Sequence, residues 1–316
     1  MRYATAMIPA GVLNSTANAA ERMLRAELAR AEEVRASIGP VLRHLVSSDD
    51  LSVFSEEAVA RTRGLIEALA GQLLRAVSLG AGLEVPRPGE PKALIAALVA
   101  QPALLAHCHA LALEGQLTER LAGQARLDPV LSPLLQTRLA APDPDVAALA
   151  MHVLAAQTRF MQAQRRMEVA PGELPADVLH PVLVAFDAVC GAEAAPAAMA
   201  IRSRYDEARS RHGLLARLVL GLGGDAAAAL DPREAGLAIF LTALSLATMQ
   251  ERDRAVLALI DGQQARLATM LAAAGASPQQ VEACLLLLHP DLAPERRYLG
   301  IGRNSAEVLL AGEGQP

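Results

Sequence analysis

The chain has 316 residues, enough for one elongated helical array or two compact domains with a large core. Hydrophobic residues make up 53%, dominated by Ala and Leu, with four Phe, three Tyr and no Trp; this helix-forming composition argues against a sheet and against an aromatic-lined pocket. A net charge of −5 with interspersed signs argues against a nucleic-acid partner, and three distant cysteines (Cys108, Cys190 and Cys284) argue against a disulfide framework.

The N-terminal run from Arg2 through ATAMIPAGVL to Ala17-Asn18-Ala19 imitates a signal peptide only weakly. It has a single basic residue and Pro9 in mid-run, so a cytoplasmic location is expected. A first amphipathic helix is predicted from Ser15 to Ile38, with the stripe Leu24, Leu28, Ala31, Val34 and Ile38, stopped by Gly39-Pro40. A short helix (Val41 to Val46) and a Ser47-to-Asp50 turn follow. Ser55 is placed to cap a second long helix whose stripe is Val59, Ile66, Leu69, Leu73 and Val77. Gly and Pro concentrate at about 80–91, which divides an N-terminal helical region (1–84) from a second domain (91–316).

Beyond that linker come Lys92–Ala100 and a helix from about Ala103 to Gln124. Residues 127–167 read as an antiparallel helical hairpin. Its first helix, from about Val130 to Leu139, carries Val130, Leu131, Leu134, Leu135 and Leu139 on one side. Asp143 is the N-cap and Pro144 the first position of its second helix, whose apolar face runs Val146, Leu149, Ala150, Val153, Leu154, Gln157, Phe160 and Met161. A helix from Ala176 to about Val189, an Ala-rich helix to about Leu220, a break at Gly221–Gly224, and helices at 232–250, 252–274 and 278–288 complete the prediction, with a turn-rich tail after His289. The segments VLRHLVSSDD, ALIAALVAQP and LLQTRLAAPD echo one another at intervals near the size of a HEAT-type unit.

Motifs with chemical content are sparse. Gly221-Leu222-Gly223-Gly224-Asp225-Ala226 fits G-x-G-x-x-A but follows a predicted helix, so a helix end is the better reading. His107 and His109 point about 200° apart on a helix and cannot share one metal. No other metal-ligand spacing, nucleophile elbow or P-loop occurs, so no catalytic residue, cofactor or metal is assigned. No run reaches the ~18–20 apolar residues of a membrane span. Contact surfaces are sought in the polar segment 202–207 and, above all, on the face formed by Gln157, Gln162, Gln164, Arg165 and Arg166.

The hairpin, continuing through QRRMEVAPGELPADVLHPVLVAFDA (164–188) and YDEARSRHGLLARLV (205–219), resembles an uncharacterised bacterial family of all-helical, HEAT-like proteins. The resemblance covers most of the chain, more firmly from about residue 100. It implies a cytoplasmic helical-repeat scaffold and carries no functional residues with it. The expected fold is all-α, an irregular HEAT-like stack of antiparallel helix pairs, an α-solenoid or multi-helical array. The expected function is a non-catalytic protein-interaction scaffold or regulatory adaptor with a protein partner, compatible with a homo-oligomer and with no membrane role. The alternative is a small-ligand binder or enzyme with a site between helices, around Cys190, His180 or His212.

Overall fold

The computed structural model describes residues 10–47, 56–81, 90–260, 262–290 and 294–312, and among these the protein is all helix, with no strand. The first nine residues of the signal-like stretch, the Ser48-to-Asp50 part of the predicted turn, the Ser55 cap and most of the Gly/Pro linker lie outside the described residues.

Helix α1 (Ala10–Ser47) does not end at Gly39-Pro40 as the sequence suggests. Proline in a helix costs about 3 kcal/mol through a lost hydrogen bond and a clash. Here Ile38 and Leu42, on either side of Pro40, are both buried in one core, and that burial offsets the penalty. Leu24 and Leu28 are buried as expected, whereas Val34 is 51% exposed and falls off the stripe.

Helix α2 (Glu56–Ala81) is apolar on a wider arc than its predicted stripe, because Leu65, Ala70 and Leu74 are buried along with Val59, Ile66, Leu69 and Leu73. It packs against α3 (Glu90–Val99) and α4 (Pro102–Ala125), on the far side of the predicted linker. The expected boundary at about 80–91 therefore does not divide the packing. Two compact units form instead, one from residues 1–36 and 258–316, the other from 37–257.

In the second unit, α4 is buried on nearly every face between Leu104 and Leu121. The hairpin forms, with its first helix starting at Pro133 rather than at about Val130. Ser132 caps α5 (Pro133–Leu139), Asp143 accepts from the Asp145 amide at 2.9 Å to start α6 (Pro144–Arg165), and the two helices pack together. Helix α7 (Ala176–Cys190) follows. The Ala-rich stretch is not one helix but two, α8 (Ala195–Arg204) and α9 (Arg211–Leu220). Tyr205 leaves the helix to donate its hydroxyl to the Leu174 carbonyl at 2.9 Å, and Asp206 and Ser210 each accept a backbone amide and restart the chain. Helix α10 (Pro232–Thr248) is almost wholly buried and kinks at Gly236, whose φ of 70° and close approach to Ser132 exclude a side chain. Helix α11 (Arg252–Leu257) closes this unit.

The first unit gathers the start of α1 with α12 (Gln264–Ala273), α13 (Pro278–Leu288), α14 (Arg296–Leu299) and α15 (Arg303–Gly312). Two expectations fail here. The long helix predicted over 252–274 is broken between Leu257 and Gln264, where Gly262 takes a φ of 81°, and the tail carries two short helices. Ser277 and Gln280 form a reciprocal capping box at the start of α13. Glu32 and Glu27 of α1 pair with Arg266 and Arg297. No single described helix is long and apolar enough to cross a membrane.

One glycine sets the entry to α9. A Cβ on Gly213 would lie 2.1 Å from the Glu207 carbonyl oxygen, a backbone atom that cannot swing away. Gly213→Ala is expected to cost about 1–3 kcal/mol, as overpacking does. Gly123→Ala in α4, where nothing lies within 4 Å, should be neutral or stabilise by about 0.4–1 kcal/mol. Urea denaturation of the two variants measures the contrast.

Candidate functional site: a buried carboxylate between two arginines

Glu114 falls on the buried arc of α4 that also carries Leu111, Thr118 and Leu121, at the i, i+3, i+4 spacing of a core stripe. Its side chain is 1% exposed. A carboxylate there is tolerated only if paired and fully hydrogen-bonded, and the fold delivers two guanidiniums to it. Arg211, first residue of α9, binds it through both terminal nitrogens. Arg252, first residue of α11, does so with distances of 3.0 and 2.9 Å. Burial pushes the Glu114 carboxyl upward, but the charges and hydrogen bonds of Arg211 and Arg252 outweigh it and hold the group down at about 2.

Arg211 is fixed on every side. Its Nε donates to Gln157 Oε1 at 2.8 Å, Gln157 donates to the Pro129 carbonyl at 2.9 Å, and the guanidinium lies 3.7 Å above the Phe160 ring. Its backbone amide donates to Glu173 at 2.7 Å. The Ser210 cap and the close fit at Gly213 set the direction in which Arg211 and His212 leave the backbone.

The imidazoles of His212 and His107 meet edge-on, with centroids 5.6 Å apart. Burial, aided by the charges of Arg252 and Arg211, holds His212 well below the usual histidine range, so it is neutral at pH 7. His107 is buried, its Nδ1 is 3.5 Å from Asp253, and its Nε2 has no hydrogen-bond partner. His109 is also buried, and burial lowers it to about 4 against the pull of Asp253. Burial pushes the Cys108 thiol far up, which leaves it an inert core group.

Two cavities flank this network, and His212 lines both. The larger, about 360 Å³, has Leu111, Phe160 and Val169 as apolar wall, Arg75, Arg159, Arg166 and Arg211 as cationic groups, and two carboxylates, Glu168 paired with Arg166 at 3.0 Å and Glu173 holding the Arg211 amide. Arg75 and Arg159 are exposed and make no hydrogen bond or ion pair with described residues. The smaller, about 260 Å³, is lined by Asp177, Glu251 and Asp253 with His107 and Arg252. Among the described residues no set of three His, Cys, Asp or Glu side chains is placed to hold a metal ion.

The polar face read from the sequence does not stay together. Gln157 and Gln164 are buried, whereas Gln162, Arg165 and Arg166 are exposed. Gln162, Gln164 and Arg166 line the larger cavity, Gln157 stands behind it holding Arg211, and Arg165 lines neither cavity. The reason is rotational: Gln157 and Gln164 fall on the stripe that α6 buries with Ala150, Val153 and Phe160. Of the residues named for a site between helices, His212 lines both of these cavities, whereas Cys190, at the end of α7, and the exposed His180 line neither. Glu114, Arg211 and Arg252 were not recognised. A lone acid on a core stripe was the available signal for Glu114, but nothing local marks its partners, which lie 97 and 138 residues away.

Fold and site together define an all-helical protein with a buried charge network between two cavities. No protein-family model, curated protein or solved structure matches the chain.

Glu114→Gln leaves two buried guanidiniums with a neutral partner and is expected to cost about 3–5 kcal/mol in denaturant unfolding. The folded-state value of Glu114 lies below its ordinary 4.5, so its contribution is complete above that pH and is lost as pH falls toward about 2. Acid titration should show the wild-type chain losing stability across this window more steeply than Glu114→Gln.

Proposed function

We propose that residues 37–257 form a small-molecule-binding module whose ligand is an organic anion with an apolar body. The observation that carries this reading is the larger cavity. Its volume of about 360 Å³ suits a small metabolite. An apolar wall faces cationic groups, and the guanidiniums of Arg75 and Arg159 are not committed to any described residue. Guanidinium groups match carboxylate and phosphate oxygens in two-pronged geometry. Arg211 is held rigid by Glu114, Gln157 and Phe160, so it contributes field and shape rather than free hydrogen bonds.

The interaction-scaffold reading, with its HEAT-like stack, draws on the α5–α6 hairpin. Against a solenoid, α3 packs on α7, α2 on α8 and α6 on α9, whereas solenoid repeats touch only their neighbours. The cavity reading is preferred for that reason.

Calorimetry and thermal shift on the full chain with benzoate, phenyl phosphate and the neutral analogue benzamide test the proposal. The anions should bind and raise Tm while benzamide does not. Arg159→Ala and Arg75→Ala should each weaken binding about tenfold, or about 1.4 kcal/mol, with little change in unliganded stability because both side chains are exposed. Equal responses to anion and amide, or affinities indifferent to both substitutions, would rule the reading out.

A further inference from the structure

The smaller cavity has the opposite chemistry from the larger one. Three carboxylates line it from two places in the chain: Asp177 in the first turn of α7, and Glu251 and Asp253 at the start of α11. The side chains of Asp177 and Glu251 accept no hydrogen bond and form no ion pair with described residues. Arg252 is the one guanidinium among the lining residues, and its terminal nitrogens are committed to Glu114 and to the Ala238 carbonyl.

A second, independent observation comes from His107. It is 2% exposed, it lines this cavity, and its Nε2 is buried without a partner. A buried polar nitrogen left unsatisfied costs about 1–3 kcal/mol. The Asp253 carboxylate lies 3.5 Å from Nδ1 and favours the tautomer that carries its proton there, which leaves Nε2 as the ring's acceptor. The cavity thus sets three carboxylates against one lining cation, Arg252, whose Nε is also buried without a partner. Ala103, Ala106, Pro175 and Val178 add an aliphatic wall suited to methylene groups. A volume of about 260 Å³ exceeds what a bare ion fills, and no described set of side chains is placed to hold a metal.

From these features we infer that the smaller cavity is a binding site for a small aliphatic organic cation, a primary amine or alkyl guanidine. Its N–H groups are shared between the carboxylates and His107 Nε2, and its methylenes lie on the Ala103–Val178 side. The inference does not depend on the anion reading of the larger cavity, because only His212 and the general electrostatics are common to both.

The test uses the full chain with butylamine and agmatine as probes, butanol and butyramide as neutral isosteres, and ionic strength matched with sodium chloride. Calorimetry should show binding of the amine or the guanidine and none of the neutral compounds. Asp253→Asn should weaken it at least about tenfold and Asp177→Asn severalfold. Asp177 is exposed, so that variant keeps the fold, and its benzoate binding should be unchanged. The His107 side-chain nitrogen resonance should shift on adding the amine and stay fixed on adding butanol. Absence of amine and guanidine binding, equal binding of the neutral isosteres, or affinity unmoved by both aspartate substitutions would overturn the assignment, whatever benzoate does.

Discussion

A carboxylate taken out of water costs several kcal/mol even after the protein relaxes around it, and Glu114 is almost completely out of water. Two guanidiniums meet that cost, each with two hydrogen bonds, from residues 97 and 138 positions further along the chain. The pairing joins α4, α9 and α11 through one side chain, and Gln157 and Phe160 add α6. Stability alone is a poor reason for such a device, since apolar residues of similar volume generally do as well. Its specific effect is geometric: it aims Arg211 and Arg252 inward and leaves His212 and Asp253, the next residue in each case, at the cavities.

That neighbour relation explains why the two cavities differ in sign. Arg211 and Arg252 share one carboxylate, so the network is itself cationic, and the surrounding groups divide. On the side of α2 and α6 the uncommitted charges are Arg75 and Arg159. On the side of α7 and α11 they are Asp177 and Glu251. His212 lies at both, held neutral by burial and by the two arginines.

Local order in the sequence was readable wherever one residue both stops and starts an element. The Asp143-Pro144 start of α6 and the α13 limits at Pro278 and Leu288 follow from capping, proline placement and apolar periodicity. The failures share one cause. Pro40 does not end α1 because buried Ile38 and Leu42 hold it, Tyr205 breaks an Ala-rich helix because a distant carbonyl accepts its hydroxyl, and the Gly/Pro linker does not separate domains because α2 is apolar on a wide arc. In each case a contact remote in sequence outweighed a local preference.

The candidate site shows the same division more sharply. By itself the sequence determined an all-helical chain and the hairpin of α5 and α6. It also marked His212 and part of the α6 polar face. Only the tertiary structure decided which cations answer Glu114, that Gln164 turns inward, and that opposite charges gather on two sides of one histidine. Helical periodicity reports which face of an element is buried. It carries no information about which of the chain's 29 Lys and Arg residues arrives opposite a buried acid, because that depends on the order in which helices pack, and the packing is set by the summed fit of many apolar side chains.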